Sequence, residues 1–140
     1  MPDESFGAGS ASDWLRYAHS DLALSRVPRP REVMLETLCY HAQQAAEKAL
    51  KAALVHVGIA PPYTHNLRTL LDALSSSLVV PPEIDACSEL SVYATETRYP
   101  AMPLPPVDED EYSEAVALAE AAVIWVEGLL REDAPLSTRQ

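Results

Sequence analysis

Residues 40–54 read YHAQQAAEKALKAAL, and this stretch decides the fold. It has no Gly, no Pro and no β-branched residue, and Ala fills six of its fifteen positions. Ala, Leu, Gln, Glu and Lys lose little side-chain entropy in a helix, so the segment reads as a strong helix. At a period of 3.6, Leu35, Leu38, Ala42, Ala45, Ala49, Ala53 and Val57 fall along one stripe. The small residues on it leave the backbone thinly covered, which lets a neighbouring helix approach closely. Tyr40, Gln44, Lys48 and Lys51 project together on another side. Gln43 and Glu47 form the adjacent row, and Glu47 is placed to pair with Lys51 at i,i+4. That polar face has two readings: a solvated surface with ordinary intrahelical pairs, or a partner or ligand face on a rigid central helix.

Outward from this helix, punctuation marks out the neighbours. The central helix spans about residues 32–57, with Gly58 as a natural C′ residue and Pro61 and Pro62 barring continuation. Upstream, residues 1–11 are small and polar and read as disordered. Ser12 is a plausible N-cap for an amphipathic helix carrying Trp14, Leu15, Ala18, Leu22 and Ala23, which VPRPR at 27–31 ends. Downstream, Thr64 or Asn66 caps a short helix bearing Leu67, Leu70, Leu71 and Leu74. A fourth helix starts with Pro82 near N1, carries Ile84, Cys87, Leu90, Tyr93 and Ala94, and reaches about Arg98. The run YPAMPLPPVDEDE is a proline-stiffened loop ending in Asp108 and Glu111, which have capping-box spacing. The last helix places Ala115, Leu118, Ala119, Ala122, Val126 and Leu129 on one face and ends near Arg131, before a frayed tail at 132–140. The expectation is an all-α protein, a five-helix up-and-down type bundle over residues 12–131.

Bulk properties narrow the function. At 140 residues the chain is one domain, large enough to bury about two-thirds of its unfolded surface. A net charge of −11 argues against a general nucleic-acid or anionic-membrane binder, although a local basic site remains compatible with it. No apolar run is long enough to span a membrane, and MPDESFGAGS lacks the order of a secretory signal, so a cytoplasmic location is expected. Cys39 and Cys87 form no Cys-x-x-Cys pair and read as free thiols in the core. Neither a phosphate-binding glycine loop nor a Gly-x-Ser-x-Gly elbow occurs. His19, His41, His56 and His65 have no metal-ligand spacing among themselves, and the acidic run 108–111 suits a helix N-terminus. No metal and no cofactor is expected. If the fourth helix packs beside the second, Lys48, Lys51, His65 and Arg98 converge into a local positive pocket fit for a phosphate, with Tyr99 alongside. Taken singly, Arg98 is also a favourable cation near a helix C-terminus, and Tyr99 a core or rim aromatic.

YHAQQAAEKALKAAL, then THNL at 64–67, then Tyr93 with TRYP at 97–100, then an Ala- and Glu-rich final helix, resembles the HEPN domain family of prokaryotes. The likeness spans about residues 12–131. It implies a five-helix bundle that forms homodimers and works with a minimal nucleotidyltransferase, with nucleotide binding proposed for the family. Several branches are RNases or toxins of toxin–antitoxin pairs, relying on an Arg followed after four to six residues by His. That spacing occurs nowhere in this chain. The resemblance therefore implies a non-catalytic binding module, with Lys48, Lys51, His65, Arg98 and Tyr99 toward a nucleotide or phosphate and Tyr40, Gln44 and Glu47 toward a partner. The alternative is a divergent, metal-independent RNase using His41 or His65 with Arg98.

Overall fold

The computed structural model describes residues 9–95 and 106–132. Its elements are α1 (Ala11–Ser25), α2 (Leu35–His56), α3 (Leu67–Leu74), a fourth helical run and α6 (Glu109–Glu132). The fourth run is made of α4 (Pro82–Asp85), a 3₁₀ segment (Ala86–Ser91) and α5 (Val92–Thr95). The protein is thus all-helical with five helical units and no strand among the described residues. The expectations for residues 1–8, 96–105 and 133–140 lie outside the described residues.

α2 is the axis of the bundle. Its Ala stripe (Ala42, Ala45, Ala46, Ala49, Ala52 and Ala53) is fully buried, together with Leu50 and Leu54. α2 is enclosed on several sides, packing on α1, α3, α5, the 3₁₀ segment and α6. The α6 surface turned inward is also small: Ala115, Ala119 and Ala122, with Val123 and Val126. Side-chain bonds fix directions. Lys48 reaches Asp21 while Lys51 lies over Trp14, so α1 runs antiparallel to α2. Glu36 at the start of α2 accepts from Val107 N just before α6, so α2 and α6 run parallel.

The caps show why each helix begins and ends where it does. α2 closes in a Schellman motif: Gly58 at φ +87° donates to Val55 O at 3.0 Å, and Ile59 to Leu54 O at 2.8 Å. Both candidate residues act before α3. Asn66 Oδ1 accepts from Arg68 N at 2.9 Å, and Thr64 Oγ1 accepts from Asn66 N at 3.0 Å. At α6 the capping box is reciprocal: Asp108 Oδ1 accepts from Glu111 N at 2.8 Å, and Glu111 Oε1 from Asp108 N at 3.1 Å.

Three boundaries differ from expectation, the first being α2, which begins at Leu35 rather than near residue 32 because Val33 N closes a turn onto Pro30 O. α1 is capped by Ser10 rather than Ser12, because Ser10 Oγ accepts from Asp13 N at 3.0 Å and leaves Ser12 inside the first turn. The fourth helix is not one α-helix over its described length. Ile84, Cys87, Leu90 and Tyr93 recur every three residues, and a 3₁₀ turn eclipses i with i+3, so tightening the chain aligns all four toward the core.

Candidate functional site

The polar row of α2 is internal. Glu47 is 3% exposed, Gln43 is fully buried and Lys51 nearly so. Such groups are tolerated only when bonded, and these are. Lys51 Nζ donates to Glu47 Oε2 at 2.9 Å, Gln43 Nε2 to Glu47 Oε1 at 3.1 Å, and His65 Nδ1 approaches Glu47 Oε1 at 2.9 Å. Gln43 Nε2 also donates to the His65 carbonyl at 3.2 Å, and Gln44 Nε2 donates to Gln43 Oε1 at 2.9 Å. Beyond Glu47, the Lys51 ammonium lies 5.4 Å from the centre of the Trp14 ring. The network fastens the turn holding His65 onto the side of α2.

A second carboxylate organises the neighbouring level. Trp14, Tyr17 and Asp21 share a face of α1, and Lys51, Lys48 and His41 share the facing stripe of α2. Because the helices are antiparallel, these rows match in reverse order. Lys48 Nζ donates to Asp21 Oδ2 at 2.6 Å, and His41 Nδ1 lies 3.1 Å from Asp21 Oδ1. The ring of His41 meets Tyr40 edge-on, with centres 5.3 Å apart.

Lys48, Lys51 and His65 therefore lie along one seam but on two different anchors: Lys51 and His65 on Glu47, Lys48 on Asp21. Arg98 and Tyr99 lie outside the described residues. Of the three residues expected on a partner face, Glu47 points inward, because α2 is enclosed on that side by α1 and the turn before α3. Gln44 and Tyr40 are half-buried beside it. Asp21 and Trp14 were missed by sequence reasoning as counterparts, since periodicity orders a face within one helix and does not say which face of another helix it meets.

Elsewhere the titratable groups behave as core or surface. Burial, followed by nearby Glu36 and Glu111, pushes the Cys39 thiol up to about 12. Burial, then Glu89 and Asp85, does the same at Cys87. Thiols held protonated in this way are poor nucleophiles. Both cysteines are buried and free of disulfides. Tyr93 is likewise pushed up to about 12, first by burial. It lines a small acidic cleft with Glu89, Glu111 and Glu114. Among the described residues, no group of three or more His, Cys, Asp or Glu is disposed to hold a metal ion, and no helix is long and apolar enough to cross a membrane.

Comparison with known proteins agrees on the architecture. The crystal structure of TT1696 from Thermus thermophilus is 31% identical and superposes with a TM-score of 0.72, covering 84% of this chain and 96% of that one. The crystal structure of ST0689, an archaeal HEPN homologue, is 29% identical with a TM-score of 0.67, covering 86% of this chain and 98% of that one. No curated protein matches the chain significantly. A family model for the HEPN domain matches residues 11–129, nearly the whole bundle, and the chain belongs to the HEPN domain family.

Proposed function

We propose that this protein is a non-catalytic HEPN binding module, a homodimer that pairs with a minimal nucleotidyltransferase and holds a nucleotide or phosphate. The observation that carries the reading is how the seam's cations are held. Lys48 is held by Asp21 and stays about a quarter exposed beside α1, a pre-positioned cation at the edge of the seam, while Lys51 is committed to Glu47. The chain also lacks the Arg-then-His spacing on which the family's RNase branches rely. Native mass spectrometry of the gently purified protein, alone and mixed with a minimal nucleotidyltransferase, tests this. The expected result is a dimer that retains a nucleotide or the second protein. A monomer at micromolar concentration that binds neither overturns the reading.

One observation favours the RNase alternative. His65 Nδ1 lies 2.9 Å from a carboxylate oxygen of the buried Glu47 while the side chain stays 67% exposed. A carboxylate-oriented imidazole with its other nitrogen toward solvent is chemically equipped for proton transfer. Incubation with total RNA distinguishes the two readings: intact RNA at high protein excess supports the binding module, and cleavage abolished by His65→Ala supports the enzyme.

A further inference from the structure

The outward face of α6 is not the polar face that a helix bordering water usually carries. Its inward residues are Ala115, Ala119, Ala122, Val123 and Val126. On the opposite side, in steps of three and four, run Glu114, Ala117, Ala121, Ile124, Gly128 and Arg131. Ile124 is 58% exposed, and a methyl group placed on Gly128 would meet no neighbouring atom. The middle of this row is therefore open, apolar and low enough for a second helix to lie against. The carboxylates flanking it are already compensated inside the chain, Glu120 by Arg26 at 2.7 Å and Glu127 by His19. The charges at its two ends are not. Arg131 is exposed and forms no ion pair among the described residues. Glu114 shares a cleft with Glu89, Glu111 and Tyr93, and no cation is among the described residues that line it.

We propose that α6 docks on α6 of a second copy of this chain, the two helices antiparallel about a two-fold axis level with the Ala122–Val123 peptide. That operation sets Ile124 against Ala121 of the second copy, Ala117 against its Gly128, and Glu114 against its Arg131. The bulky side chain meets a small one, and each bare charge meets its opposite, as a two-fold contact requires of a surface that must complement itself. Steps of three and four keep one row facing the other helix along its length. A parallel pair would put Glu114 on Glu114 and Arg131 on Arg131. A partner of other chemistry gives no reason for a row whose two halves complement each other. Within one chain the two end charges stand about 25 Å apart along α6, too far to meet. The assignment rests on the homodimer reading above and gives it an interface. That interface differs from the α2 face of Tyr40, Gln44 and Glu47 expected from the sequence.

Sedimentation equilibrium of the intact protein at micromolar concentration tests this. The wild type should sediment at twice the chain mass. Ile124→Glu, which sets a carboxylate at the centre of the contact, should weaken dimerisation tenfold or more. Val79→Glu, the same kind of change at a position 93% exposed between α3 and α4, should not. Glu114→Arg alone should weaken the dimer, and Glu114→Arg combined with Arg131→Glu should restore it, because the exchange recreates the pair across copies. Circular dichroism confirms that each variant is folded. A monomeric wild type overturns the homodimer reading and this contact together. A dimer that Ile124→Glu leaves intact keeps that reading and overturns the α6 contact. A Glu114→Arg variant that dimerises like wild type, or a double variant no better than it, overturns the antiparallel pairing.

Discussion

Truncating Glu47 to Ala tests whether the seam is built on buried carboxylates. In the native fold Glu47 is 3% exposed and holds Gln43, Lys51 and His65, while the Lys51 side chain keeps only 9% of its surface. Glu47→Ala leaves that ammonium nearly dry, with the Trp14 ring at 5.4 Å as its remaining compensation. Removing one partner of a buried pair costs about 3–5 kcal/mol, because the other charge stays behind. His65 is 67% exposed and can turn to water, so its loss adds little, and the total falls near the lower end, about 3 kcal/mol. For a domain of this length that lowers Tm by about 10 °C. Replacing the pair together, Glu47→Leu with Lys51→Met, removes the stranded charge and should restore most of the loss. Urea unfolding followed by circular dichroism reads all three proteins, at one protein concentration because dimerisation would make stability depend on it. A loss below about 1 kcal/mol in Glu47→Ala, or a double variant as unstable as the single one, would refute the reasoning.

The remaining expectations concern the ends of helices and the core thiols. Cys39 and Cys87 are pushed up to about 12 in the fold from an ordinary 9.0, so the native state keeps protons that the unfolded chain releases. Their stabilisation is whole below about pH 9 and is lost as pH rises toward 12, and a Cys39→Ala, Cys87→Ala protein should show a flatter stability profile in that window. At pH 8 neither native thiol should react with a disulfide reagent until denaturant is added. Gly58→Ala meets no neighbouring atom but forces a side chain to φ +87°, and should cost about 1 kcal/mol by urea unfolding. Asp108→Ala opens the capping box of α6 and should cost about 1 kcal/mol, with Asp108→Asn closer to wild type because it keeps an acceptor.

Local chemistry in the sequence reached a long way into this fold. Gly58 stops α2, Asn66 caps α3, and Asp108 with Glu111 opens α6, because each of these signals is satisfied within four residues of chain. The 3₁₀ segment was not read, because the spacing of three from Ile84 to Cys87, Leu90 and Tyr93 fits a short α-helix almost as well. What could not be read was which polar side chains would be enclosed. Gln43, Glu47 and Lys51 look like a solvated row, and nothing within α2 says that α1 and the turn before α3 will close over them. The partners that make the burial tolerable, Trp14 and His65, lie far along the chain.

That enclosure changes what the family-like words of the sequence are for. AQQAAEKALK supplies Gln43, Glu47 and Lys51, and THNL supplies His65 and the Asn66 cap. In the folded chain these residues bond one another: the Glu47 carboxylate takes Lys51 and His65, and Gln43 ties the His65 carbonyl. Two motifs separated in sequence thus form one internal fastening, which sets the entry to α3 against the middle of α2. A ligand competing for Lys51 would have to leave Glu47 buried without its ammonium, at a cost of several kcal/mol. Lys48 differs: it is less buried than Lys51, and its counter-charge Asp21 lines a groove between α1 and α2, so this pair can be perturbed without opening the fastening.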